Sequence, residues 1–258
     1  MAALSEIYRA LFSVQIWWAI AVEDVVGRYR RTILGPLWLV ISQAAWILGI
    51  YLLHRSVFGA EQKNFLLYLA AGLPVWSLIS GGIVDGTQAF LRSKGYIESY
   101  PLPMPLYIVR IVAGAYVTFA HLIVVYFVTA ALTMTPPSLA IIAALPGLAI
   151  IGLFNFGVSL GLAPLGTRFR DLGPALTSLM SLLFILTPVF YAPNAQQLAS
   201  PMVAYNPFYH MLEIVRAPLL GTWGTSQNWV FSVSFALISL VIGGFIYARM
   251  RPTVAYWL

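Results

Sequence analysis

The chain has 258 residues, of which 60% are hydrophobic and only 9% charged, and its mean hydropathy is +0.86. Soluble domains carry about 25% charged residues, so a water-soluble fold is excluded. The net charge of +6 sits in short segments between apolar runs rather than on one face, which is the pattern of membrane topology and not of nucleic-acid binding.

Residues Leu4 to Val22 come first. Leu11 to Val22 is mostly apolar but too short to span and broken by Ser13 and Gln15. Glu6, Arg9, Ser13 and Asp24 fall near one helical face, with Leu4, Tyr8, Leu11, Trp18 and Val22 around the rest. This predicts an amphipathic helix on the cytoplasmic membrane surface. Ala19-Ile20-Ala21 mimics a signal-peptide cleavage site, but Glu6 beside Arg9 leaves no net positive charge at the start.

Arg28, Arg30 and Arg31 then stand just ahead of Leu37 to Leu53, 17 residues without a charge. At 1.5 Å per residue that run is roughly 25 Å long, close to the hydrocarbon core of a bilayer. Pro36 occupies a first-turn position, where a missing N–H costs nothing. Five more spans are predicted at Phe65–Val84, Ile111–Leu132, Ile141–Leu162, Leu172–Tyr191 and Trp229–Ala248. The expected fold is all-α and polytopic, with six transmembrane helices. It forms one transmembrane domain over 1–258, in which 1–34 is the cytoplasmic interface segment and 35–258 the bundle.

The charges orient this arrangement. Arg9, Arg28, Arg30, Arg31, Arg92, Lys94, Arg110, Arg168, Arg170, Arg249 and Arg251 fall inside, whereas only Arg55, Lys63 and Arg216 fall outside. Such a bias puts both termini in the cytoplasm. Two connecting segments are long. Asp85 to Arg110 is cytoplasmic; it begins as a helix and is broken by Pro101, Pro103 and Pro105. Ala192 to Asn228 is external and unusually apolar. In it Asn206 caps a helix starting at Pro207 and running to about Ala217, with Glu213 and Arg216 paired at i, i+3. Eleven residues span roughly 16 Å, so that helix is interfacial or re-entrant.

The chain has no cysteine, and His54, His121 and His210 show no metal-ligand spacing. Neither a phosphate-cradling loop nor a dinucleotide fingerprint is present, so the chain brings no ATP chemistry of its own. Ion-coupled carriers need acidic or basic groups deep in their spans; only His121 lies deep here, where it suits helix packing better than proton relay. The spans do carry aromatic and hydroxyl groups. Trp38, Ser42, Gln43 and Trp46 share one face of the first span, and Thr177, Ser178 and Ser181 make a smaller stripe on the fifth. Flat rings and hydroxyls suit a neutral, hydroxyl-rich polymer in a tunnel; packing between helices and an interfacial aromatic belt account for the same residues.

Arg28-Tyr29-Arg30-Arg31-Thr32-Ile33-Leu34-Gly35-Pro36-Leu37-Trp38 resembles the start of the first span in membrane subunits of polysaccharide ABC exporters. Arg168-Phe169-Arg170-Asp171, Thr187-Pro188-Val189-Phe190-Tyr191, Asn206-Pro207 and Arg216-Ala217-Pro218-Leu219-Leu220-Gly221 agree in order and position. The similarity covers essentially the whole chain and is greatest to O-antigen exporter permeases, with capsule and teichoic acid permeases close behind. It implies a homodimer in the bacterial inner membrane, carrying two nucleotide-binding subunits that hold the ATP and Mg. The implied substrate is an undecaprenyl-pyrophosphate-linked polysaccharide; no cofactor belongs to this chain and nucleic acid is not a partner. Export of a small lipid or drug, and a scaffold without transport, are the rival readings.

The resemblance also sorts the candidate residues. Arg92, Lys94, Glu98 and Tyr100, with Arg168, Arg170 and Asp171, are expected to contact the ATPase; a charge that merely marks topology is the plainer account of each. Arg28, Arg30 and Arg31 are candidates for the pyrophosphate headgroup. Tyr191, Asn206, Pro207 and Arg216 belong to the expected external gate.

Overall fold

The computed structural model describes residues 2–58 and 64–258. Among them there is no strand, and the helices follow in the order α1 Ala2–Phe12, α2 Val14–Gly27, α3 Leu37–Phe58, α4 Phe65–Gly86, α5 Lys94–Ser99, α6 Pro105–Leu122, α7 Val124–Leu132, α8 Ala144–Arg168, α9 Leu172–Leu186, α10 Ala195–Ala199, α11 Pro201–Ala204, α12 Pro207–Leu219 and α13 Ser226–Met250. Among the described residues, five segments are each long and apolar enough to cross a membrane: Leu37–Val57, Phe65–Gly86, Pro105–Leu132, Leu139–Arg168 and Ser226–Tyr256. The chain is therefore an all-α, polytopic membrane protein. Lys63 lies outside the described residues.

The expected fifth span is shorter than the sequence suggested. α9 has 15 residues and ends at Leu186, because Pro188 pushes Thr187 into an extended conformation (ψ 133°) and supplies no N–H to continue the helix. Its helical length is roughly 22 Å, less than a hydrocarbon core.

The N-terminal segment also differs. It is two helices bent by 66° about Ser13 rather than one, and Glu6 of its polar side turns into the protein while Arg9 stays exposed. Glu6 is buried and accepts from the Tyr247 hydroxyl at 2.9 Å and Arg251 Nε at 2.6 Å. Tyr8, Phe12 and Trp18 point outward instead. Burying a carboxylate demands partners, and α13 and the turn after it supply both. Pro36 precedes α3 rather than opening it, and Gly35 beside it takes a positive φ of 54°.

α4 is the centre of the bundle, flanked by α3, α6, α8, α9 and α12. Two polar side chains of α8 reach its backbone: Asn155 Nδ2 donates to Leu78 O at 2.9 Å and the Ser159 hydroxyl to Gly82 O at 3.1 Å. The glycines at 82 and 86 make room, since a Cβ at either would stand 2.3 Å from those side chains. α8 and α13 pack closest of all. Gly157 and Gly161 face Gly243, and a Cβ on Gly243 would lie 1.8 Å from the Gly157 carbonyl oxygen. Small residues let membrane helices approach until their backbones touch, and dispersion then replaces the missing hydrophobic drive.

α3 is the opposite case. Among its residues only Ile47 is buried; Val40, Ala44, Ile50 and Tyr51 pack against the core, and most of the rest of its surface is exposed.

Candidate functional site

Most of the charged residues collect at one end of the bundle. There the turn between α4 and α5 presents Arg92, paired with Asp85 at 2.8 Å, and Lys94 with Glu98 at 3.7 Å on the next helical turn. The prolines at 101, 103 and 105 end this excursion, and Pro105 opens α6 six residues ahead of the expected span start at Ile111. Arg168 stands at the end of α8, with its guanidinium 5.2 Å from the Phe169 ring and 5.4 Å from the Trp257 ring. Lys94 Nζ reaches the Leu258 carbonyl oxygen at 2.5 Å. The turn over 251–258 thus touches both sets of ATPase-contact candidates, which form one exposed face. Arg92, Lys94, Glu98, Tyr100, Arg168, Arg170 and Asp171 are all exposed. Phe169 is exposed with them, which the sequence reading did not single out.

The three arginines ahead of α3 sit in different surroundings. Arg30 Nη2 pairs with Glu23 at 2.6 Å, and Arg31 takes a left-handed backbone with φ 71° in the turn that follows. Arg28 ends α2 and lines a cleft with Asp24, Asp85 and Arg110. Arg110 counted in the sequence only as a topological charge; its side chain is 4% exposed and held by Asp24 at 2.6 Å. The signal available was its place at the start of an apolar run, with no way to tell inward from outward.

The tunnel candidates lie on two helices that both pack on α4. Trp38, Ser42 and Trp46 are exposed on α3 and Gln43 is half-buried. Thr177, Ser178 and Ser181 are exposed on α9, and their hydroxyls donate to the carbonyls of Gly173, Pro174 and Thr177 one turn back, at 3.0, 3.2 and 3.0 Å. Within one chain the two stripes do not meet. Both are outward surfaces. His121 is spent in the same way, with Nδ1 2.7 Å from the Val117 carbonyl of its own helix.

At the far end, Asn206 caps α12 by accepting from the N–H groups of Phe208 and Tyr209 at 3.0 and 3.4 Å. The helix runs to Leu219, two residues past its predicted end, despite Pro218. Its start lies deep. Phe208 packs against Trp76 and Phe154 at 6.1 and 6.4 Å between centroids, and Trp76 is roughly 17 Å along α4 from Phe65. Asn206 Nδ2 meets the Thr187 hydroxyl there at 3.0 Å, just where α9 stops.

Arg216 is fully buried two turns further along α12. It pairs with Glu213 and donates through Nη1 to the Pro188 carbonyl at 2.7 Å. Its guanidinium also lies 4.2 Å from the centre of the Tyr68 ring. The Tyr68 hydroxyl donates to Pro188 O and Tyr191 O, each at 3.0 Å. One cation therefore ties α12, α4 and the stretch after α9. Gly72 faces it, with 3.3 Å between an added Cβ and Arg216 Cδ. Tyr191 also lines an open cleft of about 720 Å³ between that stretch and the end of α3. Tyr191, Asn206 and Arg216 are thus brought to one junction, with Pro207 beginning the helix between them.

No protein-family profile matches the chain. It is 27% identical over 236 residues to an O-antigen export system permease protein, RfbA, of Klebsiella pneumoniae, covering 89% of each chain. A second protein of that name and organism is 24% identical over 195 residues, 74% of each. One from Myxococcus xanthus is 24% identical over 199 residues, 76% of each. The chain is therefore similar, along most of its length, to permeases of O-antigen export.

Proposed function

We propose that this chain is the membrane subunit of an ATP-driven exporter that moves an undecaprenyl-pyrophosphate-linked polysaccharide, O-antigen in class, across a bacterial inner membrane. The observation that carries this reading is the alignment with three named O-antigen export permeases over 74–89% of the chain. Two copies would pair through the outward surfaces of α3 and α9, since closed two-fold pairing is the usual assembly of half-size subunits. The aromatic and hydroxyl stripes, which face away from the single chain, would then line a shared path. Two nucleotide-binding subunits would dock on the exposed face carrying Lys94, Tyr100, Arg168, Arg170 and Asp171, and supply ATP and Mg. Both termini would be cytoplasmic, and α10 to α12 would form a re-entrant gate on the outer side.

Arg170 and Asp171 have no side-chain partner among the described residues, which makes them suitable for testing the docking face. The double variant R170A/D171A should keep the wild-type thermal midpoint and lose most of the ATPase subunit in co-purification. In a deletion strain, lipid-linked glycan should accumulate inside and be cleared by the wild-type gene. Normal surface glycan in that strain would end the export reading.

A further inference from the structure

A cleft of about 100 Å³ opens between the end of α2, α4 and α6 from Arg110 onward, with Asp24, Arg28, Asp85 and Arg110 at its charged end and apolar residues such as Leu78, Phe119 and Leu122 beyond them. Its deepest charged group is Arg110. Nε is spent on Asp24 at 2.6 Å, and the guanidinium lies 5.5 Å from the Tyr96 ring. Nη1 is buried and has no partner. One turn earlier on the same face of α6, the Tyr107 hydroxyl is also buried and unpartnered. A buried donor left unmade is costly, and more so when it carries charge.

The other charges show what would satisfy it. Asp24 is engaged by Arg110, and Asp85 by Arg92 at 2.8 Å. Arg28 has no partner among the described residues. The lining itself holds two arginines and two aspartates, but Arg92, outside it, already engages Asp85, so one positive charge is left over in the cleft. Cations are repelled by that balance and a neutral sugar would not offset it. A tetrahedral oxyanion would, because a guanidinium presents its N–H groups as a fork matched to phosphate oxygens. The cleft also stands at the charged end of the bundle, where lipid phosphates meet a membrane protein.

We infer that this cleft is a phosphate-binding site for an anionic lipid headgroup, with Arg28 and the Arg110 guanidinium as the donors and Asp24 as the competing counter-charge. The site does not depend on the export reading. Only the identity of its occupant does, since the headgroup belongs either to a membrane phospholipid or to the diphosphate of a carried lipid. Of the three arginines ahead of α3, only Arg28 takes part.

The test uses the full chain, purified with its ATPase subunit where that remains bound. Retention of phosphatidylglycerol in nanodiscs, of farnesyl diphosphate in detergent, and of inorganic phosphate is measured by native mass spectrometry and titration. Arg28→Gln should weaken retention about tenfold, the loss of one charge-assisted contact. Asp24→Asn should strengthen it, because removing the competitor frees Arg110; a merely structural ion pair would not give that gain. Arg110→Gln should abolish retention, and if it does not fold, the other two variants still decide.

Tighter farnesyl diphosphate binding assigns the carried lipid, and tighter phosphatidylglycerol binding the membrane lipid. Inorganic phosphate held as tightly as both would overturn the headgroup assignment. Wild-type retention in both Arg28→Gln and Asp24→Asn would overturn the site.

Discussion

Asn206 Nδ2 donates to the Thr187 hydroxyl at 3.0 Å, joining the start of α12 to the point where α9 ends. The same side chain, through its oxygen, caps α12. Its two functions can be separated. Thr187→Val removes the link and leaves the cap, whereas Asn206→Ala removes both. Loss of a cap costs about 1 kcal/mol, so Asn206→Ala should lower the thermal midpoint in detergent clearly more than Thr187→Val. Equal midpoints would mean that the cap contributes nothing at this depth.

Arg216 is a stronger case because every contact it makes is out of water. Arg216→Met leaves Glu213, whose side chain is 15% exposed, without its cation, and the Pro188 carbonyl without that donor. Breaking one side of a buried pair costs roughly 3–5 kcal/mol. Arg216→Lys keeps the charge but not the reach to Glu213, Pro188 and the Tyr68 face together, so it should recover only part of that loss. Denaturation of the purified chain, followed by tryptophan fluorescence, measures both.

The α8–α13 seam predicts a sharp positional contrast. Gly243→Ala puts a methyl group into the Gly157 backbone and should cost about 1–3 kcal/mol or prevent assembly, since neither backbone can yield. Gly244→Ala, whose Cβ meets nothing within 4 Å, should be neutral or stabilising by up to about 1 kcal/mol through helix propensity. Similar midpoints for the two would refute the close approach.

Orientation is open to labelling because the chain has no cysteine. Pro136 and Gln196 are exposed at the far end, and Lys94 and Tyr256 at the charged end. Single cysteines at the first pair should react with an impermeant thiol reagent on intact spheroplasts. Those at the second pair should react only after lysis. The reverse pattern would turn the protein over in the membrane.

Much of this architecture was legible in the chain itself. Apolar runs of membrane length locate α3, α4, α6 with α7, α8 and α13, because transfer into hydrocarbon is a sum over neighbouring residues and needs no tertiary knowledge. The cap at Asn206 and the break at the 101–105 prolines were legible for the same reason: each acts on backbone groups within a turn of itself. Pro188 carried the signal for the early end of α9, but a run without charge through Tyr191 masked it.

Which side of each helix faces inward was decided only by the tertiary structure. Glu6 meets Tyr247 across 241 positions of sequence, and Arg110 meets Asp24 across 86. A one-dimensional pattern reads both acids as the wet face of a surface helix; in the fold they are its docking face. Arg110 has the composition of a topological charge and the environment of a buried one. Its free Nη1 exists only because α2, α4 and α6 converge around it, and no spacing along the chain encodes that convergence.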